Sequence, residues 1–222
     1  MNSDSLQLHE VTLRLGTRVL VASLSLTVSQ GEVVTLMGES GCGKSSLLAY
    51  LCGTLSPAFA AEGTASMGGV NFTRLPPESR RLGILFQDDL LFPHMTVGQN
   101  LAFALSPSVR SRDERRMRIE RALGEAGLAG FVNRDPATLS GGQRARVAVI
   151  RVLLSEPRAL LLDEPFSKLD VATRQRFREF VFDHLRGRRL PTLLVTHDPD
   201  DAAAAGGRVI DLQKRTSGIN KA

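Results

Sequence analysis

Polar and apolar residues alternate over the first part of the chain, from Leu6 to Val28, with a break at Gly16-Thr17. Alternation with a period of two is typical of strands that bury one face and expose the other. Glycine-containing breaks of this kind mark turns between strands. The pattern therefore predicts half-buried antiparallel strands at the start of the chain.

Later in the chain the apolar residues form short and nearly continuous runs. These runs are Val33–Met37, Ala159–Leu162, Thr192–Val195 and Val209–Leu212. Strands that are buried on both faces, as in parallel sheets, have this composition. Helical patterns over residues 44–55 and 171–185 alternate with the runs, and this alternation predicts an α/β fold with a parallel sheet.

Residues 105–130 have a helix-like pattern that is rich in arginine, with acidic residues among the arginines. We interpret this stretch as a solvated helix face that carries ion pairs. Contact with lipid headgroups or with an acidic loop of a partner is the functional alternative.

The composition is that of a globular protein. Of the 222 residues, 42% are hydrophobic and 23% are charged, which excludes a wholly disordered, collagenous or coiled-coil chain. The formal charge of +5 is compatible with nucleic acid, an anionic membrane surface or a phosphorylated ligand, and selects none of them. The two cysteines, Cys42 and Cys52, are expected to be reduced thiols.

Two features of the sequence bear on location. The apolar runs fall short of about 20 residues, the length that a membrane-spanning helix needs. The opening residues, Met1 to Ser5, contain neither the basic region nor the apolar region of a secretory signal. We therefore expect the chain to stay in the cytosol.

A glycine-rich turn follows the first continuous apolar run and has the sequence GESGCGKS, from Gly38 to Ser45. Backbone N–H groups in such a turn, together with the N-terminus of the next helix, bind phosphate oxygens. Lys44 supplies a positive charge for the β- and γ-phosphates, and the Ser45 hydroxyl can ligate Mg²⁺. The motif predicts a nucleoside triphosphate site, in which we interpret Cys42 as a loop residue and not as a nucleophile.

Two acidic residues, Asp163 and Glu164, follow the apolar run that begins at Ala159. Ligands of open α/β sheets bind at the carboxyl ends of the strands, so we expect both carboxylates at the phosphate site. Asp163 is expected to bind Mg²⁺ through water, and Glu164 is the candidate base that polarises the attacking water.

A second anion site is predicted at LSGGQ, from Leu139 to Gln143, which precedes another helical pattern. One chain with one γ-phosphate has no use for two such sites. Two chains in a head-to-tail arrangement would use both.

Together these motifs resemble those of the ATP-binding subunits of ABC transporters, and the resemblance extends over residues 6–212. GESGCGKS is similar to the Walker A motif, LLLDE to the Walker B motif with its catalytic glutamate, and LSGGQ to the family signature. The resemblance also identifies Gln87 with the Q-loop glutamine, Asp170 in SKLD with the D-loop, and His197 with the switch histidine. All these motifs occur in the family's order, which makes the resemblance specific.

The resemblance implies the fold of a P-loop NTPase, an α/β fold in which a RecA-like core carries an N-terminal antiparallel β layer and an inserted α-helical subdomain. We expect one nucleotide-binding domain over residues 1–222. The core and the β layer would comprise residues 1–86 and 156–222. The helical subdomain, which carries the signature motif, would comprise residues 87–155.

The resemblance also implies the residues of the site. ATP would be bound by Gly38, Glu39, Ser40, Gly41, Cys42, Gly43, Lys44, Ser45 and Ser46. Mg²⁺ would be bound by Ser45, Gln87 and Asp163, and the catalytic residues would be Glu164, His197 and Gln87. The residues that act in trans, on the ATP of the other protomer, would be Ser140, Gly141, Gly142 and Gln143, while Asp170 would link the two sites.

The partners that the resemblance implies are a homodimer or a paired ATPase subunit, integral-membrane permease subunits and a periplasmic solute-binding protein. The permease would dock at residues 87–100, and the chain would lie peripherally on the cytoplasmic face of the inner membrane. Residues 75–100 are similar to importers of small polar or anionic solutes, such as the iron, thiamine, polyamine and sulfate systems. Import is therefore the expected direction, and nucleic acid is not an expected partner.

Two residues depart from the family pattern. Leu15 stands where the family usually carries an aromatic residue that stacks on adenine, so we expect weak stacking. Lys168 stands where a small residue is usual in the D-loop, and it is a candidate for adjusting the dimer interface.

Two other functions compete with transport. An ABC-type ATPase that acts on nucleic acid or on the ribosome is slightly favoured by the basic pI of about 9.9. Against it, the sequence lacks a coiled-coil insertion, a second ATPase cassette and clusters of aromatic and basic residues. The other competitor is a nucleotide-gated binding module without hydrolysis, and Glu164 and His197 argue against it.

Overall fold

The computed structural model describes residues 5–212. The strands are β1 (Leu6–Leu15), β2 (Arg18–Val28), β3 (Val33–Met37), β4 (Phe59–Met67), β5 (Val70–Asn71), β6 (Leu82–Leu85), β7 (Ala159–Asp163), β8 (Thr192–Val195) and β9 (Arg208–Asp211). The α-helices are α1 (Lys44–Cys52), α2 (Val97–Ala104), α3 (Arg112–Glu125), α4 (Gly141–Leu154), α5 (Val171–Arg188) and α6 (Pro199–Ala205). Short 3₁₀ turns lie at Pro77–Ser79 and Pro136–Thr138.

The chain divides into two compact units. Within the described residues, unit 1 comprises residues 5–82, 158–164 and 185–212, and unit 2 comprises residues 83–157 and 165–184. No helix in residues 5–212 combines the length and the apolar character that crossing a bilayer requires.

Unit 1 contains an antiparallel sheet of four strands in the order β2-β1-β4-β5. The alternating residues of β1 behave as predicted, since Leu6, Leu8, Val11 and Leu13 are buried. The register with β2 shifts between Leu8 and Val11, where an irregularity changes the residues that face each other. The predicted antiparallel strands over residues 6–28 are confirmed.

The second sheet has five strands in the order β6-β7-β8-β3-β9. Its strand β6 begins at Leu82, where the first segment of unit 1 ends. Strands β7, β8, β3 and β9 pair in parallel. The register places Asp163 beside Val195, and Leu36 beside the same Val195. Because parallel strands end at one edge of the sheet, the loops that follow β3, β7 and β8 lie close together, and the predicted α/β fold is confirmed.

Unit 2 is mainly helical. Its core is formed by apolar residues of α2, α3 and α4 and the adjoining loops, namely Val97, Leu101, Leu105, Ile119, Leu123, Ala126, Leu128, Leu139, Val147 and Ile150. The first part of α5 also belongs to this unit, where Phe177 packs against Phe166 at a ring-centroid distance of 5.7 Å.

The arginine-rich stretch forms a shorter helix than the pattern predicted. Helix α3 begins only at Arg112, because the Ser111 side chain caps it by accepting a hydrogen bond from the Glu114 amide, and it ends at Glu125. On its surface Arg116 pairs with Glu120 and Arg121 with Glu125, each at 2.8 Å and four residues apart. These pairs agree with a solvated, ion-paired helix face.

Candidate functional site

The phosphate loop joins the end of β3 to the start of α1. Lys44 is buried, and its Nζ donates hydrogen bonds to the carbonyl oxygens of Gly38 at 2.6 Å and Glu39 at 2.9 Å. The side chain therefore crosses the loop and places a positive charge at its centre. Glu39, Ser40 and Gly41 are exposed on the outside, and Ser46 is half-buried in the first turn of α1.

Both the backbone conformation and the close packing at position 43 favour glycine. Its φ of 99° is unfavourable for a residue with a side chain. A Cβ atom at this position would lie 3.0 Å from Cβ of Leu20 and 3.1 Å from Cγ2 of Val21 in β2. The antiparallel sheet thus packs closely against the phosphate loop inside unit 1.

Both cysteines are free thiols, as expected. The Cys42 Sγ lies 4.0 Å from the Lys44 Nζ within the phosphate loop. Burial raises the pKa of the Cys52 thiol, at the end of α1, to about 11, so this group stays protonated near neutral pH.

Ser45 and Asp163 bring two oxygen ligands together at the edge of the parallel sheet. The Ser45 Oγ donates a hydrogen bond of 3.2 Å to Oδ1 of Asp163, the last residue of β7. Burial raises the pKa of the Asp163 carboxyl and the nearby Glu164 carboxylate does the same, whereas the Ser45 hydrogen bond and the Lys44 charge lower it. Hydroxyl and carboxylate oxygens are the ligands that Mg²⁺ prefers, so these residues fit the ion.

Glu164 lies against His197 across the ends of β7 and β8. The Glu164 Oε2 is 3.2 Å from the His197 Nδ1, and the exposed fraction is 23% for the Glu164 side chain and 59% for His197. Glu164 has a left-handed backbone with φ of 47°, and its amide donates to the Val195 carbonyl at 2.9 Å. The acid is thus held towards the histidine by an unfavourable backbone conformation.

A buried hydrogen bond that the sequence did not suggest supports the His197 loop. The hydroxyl of Thr196, which is 1% exposed, donates to Oδ2 of Asp201, which is 3% exposed, at 2.7 Å. The Asp198 side chain caps α6 by accepting from the Asp200 amide. The residues on both sides of His197 are therefore fixed, while its ring is exposed.

The signature residues form the N-terminus of α4 in unit 2. The Ser140 Oγ accepts from the Gln143 amide at 3.3 Å, and the Gln143 Oε1 accepts from the Ser140 amide at 2.9 Å, which makes a capping box. A Cβ atom at Gly142 would lie 2.7 Å from Cγ2 of Thr173 in α5, so any side chain at this position would force Thr173 to shift. Gly141 begins the helix.

Gln87 and Asp170 also lie in unit 2. Gln87 is exposed two residues after β6, and it lines, together with Gly141 and Lys168, a cavity of about 140 Å³. The Asp170 Oδ1 accepts from the Thr173 amide at 3.0 Å, and hydrogen bonds from the Thr173 side chain and amide lower the pKa of the Asp170 carboxyl. Asp170 therefore caps α5, a local role that the sequence comparison did not indicate.

Leu15 closes the β1–β2 hairpin and is 44% exposed. It pairs with Arg18 in β2 and with Phe59 in β4. The Arg18 Nη2 lies 3.5 Å from the carbonyl oxygen of Gly41 in the phosphate loop. An arginine at the outer side of this loop was not identified from the sequence.

In unit 1 the structure thus brings together a phosphate loop, its lysine, a serine beside a strand-end aspartate, and a glutamate beside a histidine. The fold and these groups define a nucleotide-binding protein of the P-loop class. The family model described as "ABC transporter" matches residues 21–167. The chain belongs to this family, and it is an ATP-binding, ATP-hydrolysing subunit of an ABC transporter, a class of protein that acts with membrane permease subunits.

Relatives agree with this assignment. The chain is 47% identical over 211 residues to the uncharacterised ABC transporter ATP-binding protein YnjD of Escherichia coli (strain K12), covering 95% of this chain and 96% of that protein. It is 41% identical over 210 residues to the Fe(3+) ions import ATP-binding protein FbpC of Brucella abortus (strain 2308), and 38% identical over 213 residues to FbpC of Pasteurella multocida (strain Pm70). These alignments cover 95% and 96% of this chain but only 59% and 60% of the two FbpC proteins.

Proposed function

We propose that the chain energises solute import by binding and hydrolysing Mg-ATP between two protomers at the cytoplasmic face of the inner membrane. The observation that carries the proposal is the group of Lys44, Ser45, Asp163, Glu164 and His197 at one edge of the parallel sheet in unit 1. Each of these residue types matches a step of phosphoryl transfer to water.

The phosphates are proposed to bind to the backbone N–H groups between Gly38 and Ser46, with Lys44 at the β- and γ-phosphates. Ser45, Asp163 and Gln87 are the proposed Mg²⁺ ligands. Bound by these residues, the ion would supply positive charge that neutralises the phosphates. The shared hydrogen bond of Ser45 and Asp163 already holds two of these oxygens beside each other.

Hydrolysis is proposed to use Glu164 as the base. As the oxygen of water attacks the γ-phosphorus and the bond to the bridging oxygen of the leaving ADP breaks, the proton of the water passes to the Glu164 carboxylate. His197 holds the carboxylate from one side through its contact at 3.2 Å, and its exposed ring is available for a γ-phosphate oxygen.

A dimer is proposed because the chain carries one phosphate loop and one signature motif. In a head-to-tail pair, Ser140, Gly141, Gly142 and Gln143 of one protomer would complete the ATP site of the other. The capping box of Ser140 and Gln143 orients the first amides of α4, which suits contact with a γ-phosphate. We further propose that the domain is single, with residues 87–155 as its helical subdomain and Asp170 between the two ATP sites.

The permease is proposed to dock on residues 87–100. Support comes from the apolar exposure of this region, since Leu90 is 54% exposed and the adjoining Phe103 is 69% exposed. Phe92 packs edge-on against Phe103 with centroids 5.1 Å apart, which gives a firm aromatic surface for an apolar helix. A periplasmic solute-binding protein would deliver the solute, and the FbpC relatives make an iron or similar small solute the first to test.

The dimer and the base can be tested in one experiment. Glu164→Gln should bind ATP without hydrolysing it, so size-exclusion chromatography with ATP and Mg²⁺ should show a stable dimer. The matched control is Glu164→Gln combined with Lys44→Ala, which should stay monomeric because the phosphate loop has lost its charge. A Glu164→Gln protein that remains monomeric at saturating ATP and hydrolyses it like wild type would contradict the proposal.

A further inference from the structure

The chain between β6 and α2 has no regular secondary structure from Phe86 to Thr96. Polar side chains hold it from the interior of unit 2. The Asn100 side chain, which is fully buried, donates to the carbonyl oxygens of Phe92, Met95 and Thr96, each at 3.1 Å. This part of the segment is anchored by neutral and well-satisfied hydrogen bonds.

The first part of the segment is held differently, by cations. Arg151 of α4 donates to the carbonyl oxygens of Asp89 at 3.0 Å and Leu90 at 2.8 Å. The side chains of Asp88 and Asp89 then pair with two further cations from two different places in the chain. Lys168 forms an ion pair with Asp88, and the Arg144 Nε lies 2.9 Å from Oδ2 of Asp89.

These two ion pairs connect three segments of one protomer, which the proposed function assigns to the two ATP sites of the dimer. Asp88 directly follows Gln87, and Lys168 lies two residues before Asp170. Arg144 also donates to the Leu139 carbonyl at 2.7 Å, directly before Ser140. One pair therefore joins the Gln87 segment to the Asp170 segment, and the other joins it to the start of the signature motif.

We propose that Lys168 and Arg144 are positioning residues, which set the place of Gln87 relative to Asp170 and Ser140 and so control the rate of hydrolysis. The proposal rests on the roles proposed above for these three residues. A displacement of residues 88–89, for instance by a docked permease, would move both other segments through the ion pairs. Lys168, which departs from the family pattern, thereby acquires a role within its own chain.

The exposure of the pairs suits a contact that breaks and re-forms. The Lys168 and Asp88 side chains are 51% and 61% exposed, and those of Arg144 and Asp89 are 36% and 30% exposed. Exposed ion pairs are weak and are screened by salt. The Lys168–Asp88 pair can therefore open easily, while the more buried Arg144–Asp89 pair keeps the segment in place.

The test uses the full chain with three variants of the weaker pair: Asp88→Asn, Lys168→Ser, and the exchange of both charges by Asp88→Lys with Lys168→Asp. Each single variant should lower kcat for ATP hydrolysis about fivefold, which corresponds to about 1 kcal/mol, and leave KM within about twofold. The exchanged pair should recover most of the lost kcat. Raising the ionic strength should reduce the wild-type kcat towards that of Lys168→Ser.

The matched control is Arg116→Ser, which removes an exposed pair with Glu120 in the same unit. It should leave kcat and its salt dependence unchanged. The free energy of unfolding in urea is measured for Asp88→Asn, Lys168→Ser and the double variant. This double-mutant cycle gives the interaction free energy of the two side chains independently of activity.

The outcomes separate this inference from the proposed function. Wild-type kcat in both single variants, an exchanged pair no better than the singles, or no coupling in the unfolding cycle would overturn the role of the ion pair. Suppose that one of these three contradicting results is found and Gln87→Ala nevertheless abolishes hydrolysis. The proposed function then survives, and only the positioning role of Lys168 and Arg144 is lost. If Gln87→Ala hydrolyses ATP like wild type, the proposed role of Gln87 fails first.

Discussion

At the scale of single residues, the burial of Asp163 lowers stability, whereas its proposed function requires an ionised carboxylate. Its carboxyl is partly buried beside Glu164, and this burial raises its pKa. A carboxyl with a raised pKa in the folded state is destabilising when it is ionised, so the free energy of unfolding is lowered at neutral pH. The residue is explained by the ion that it is proposed to bind.

We predict that Asp163→Asn unfolds at a higher temperature than wild type at neutral pH without nucleotide or Mg²⁺. The difference should shrink as the pH falls through the folded-state pKa of Asp163, because wild type then takes up the proton and loses the penalty. Adding ATP and Mg²⁺ should raise the melting temperature of wild type more than that of the variant, because the variant lacks one proposed Mg²⁺ ligand. Thermal denaturation as a function of pH measures this, and a variant less stable than wild type at neutral pH would refute it.

The sequence located the candidate site residues better than it predicted their contacts. Lys44, Ser45, Asp163 and Glu164 could be identified because a phosphate loop and a strand-end carboxylate have local sequence patterns. The contact of Arg18 with Gly41 and the hydrogen bond of Thr196 with Asp201 could not, since they depend on the register of strands and on how a loop turns. The roles of the site residues stay predictions.

At the scale of elements, helix α1 is fixed at both ends. It begins at the phosphate loop and ends at Cys52, three residues before the predicted end, because Gly53 caps it in a left-handed conformation. Near its last turn the buried Arg80 guanidinium donates to the carbonyl oxygens of Tyr50 and Leu51, both at 2.7 Å. The same group donates to Thr73 and Leu75, so it joins α1 to the loop that follows β5.

We predict that Arg80→Met lowers the free energy of unfolding by about 3 kcal/mol, because two buried and two partly buried carbonyl oxygens lose the hydrogen bonds that the guanidinium donates. Urea denaturation followed by circular dichroism is the measurement. Arg74→Met, at an exposed position in the same loop, is the matched control and should change stability by less than about 0.5 kcal/mol. Equal stability of the two variants would show that Arg80 does not support α1.

Strands with a strong hydrophobic sequence pattern were predicted, and strand β4, which has a weak one, was missed. The runs at Val33–Met37 and Thr192–Val195 became strands at the same residues, because continuous β-branched and leucine residues leave little alternative. Strand β4 contains three alanines, a glycine and a glutamate and has little β propensity of its own. It forms because β1 supplies its partner over nearly its whole length, which is a tertiary effect.

At the scale of the whole molecule, the positive charge distinguishes the competing functions. The chain carries 28 Lys and Arg residues against 23 Asp and Glu, a balance that also suits nucleic acid. On α3, however, Arg116, Arg118 and Arg121 are each paired with a glutamate of their own helix. The charge of these three arginines is therefore neutralised locally, which disfavours α3 as a phosphate-binding surface.

We predict that neither single-stranded DNA nor RNA stimulates ATP hydrolysis at physiological ionic strength. Fluorescence anisotropy with labelled oligonucleotides should show only weak binding that disappears as salt is raised, as for non-specific contacts. Membranes that contain the cognate permease should bind the chain and stimulate hydrolysis. Tight, salt-resistant binding of an oligonucleotide together with faster hydrolysis would favour the nucleic-acid alternative.

The left-handed backbone at Glu164 has a consequence for how this protein could change over time. Glycine would adopt the same φ without the roughly 1 kcal/mol of strain that glutamate bears there. Because glycine also costs roughly 0.5–1 kcal/mol of backbone entropy on folding, exchanging the acid for glycine would change stability little while it removes the proposed base. A protein that binds ATP without hydrolysing it is thus one substitution away. A protein that hydrolyses ATP has to keep the glutamate although glycine suits this backbone conformation better.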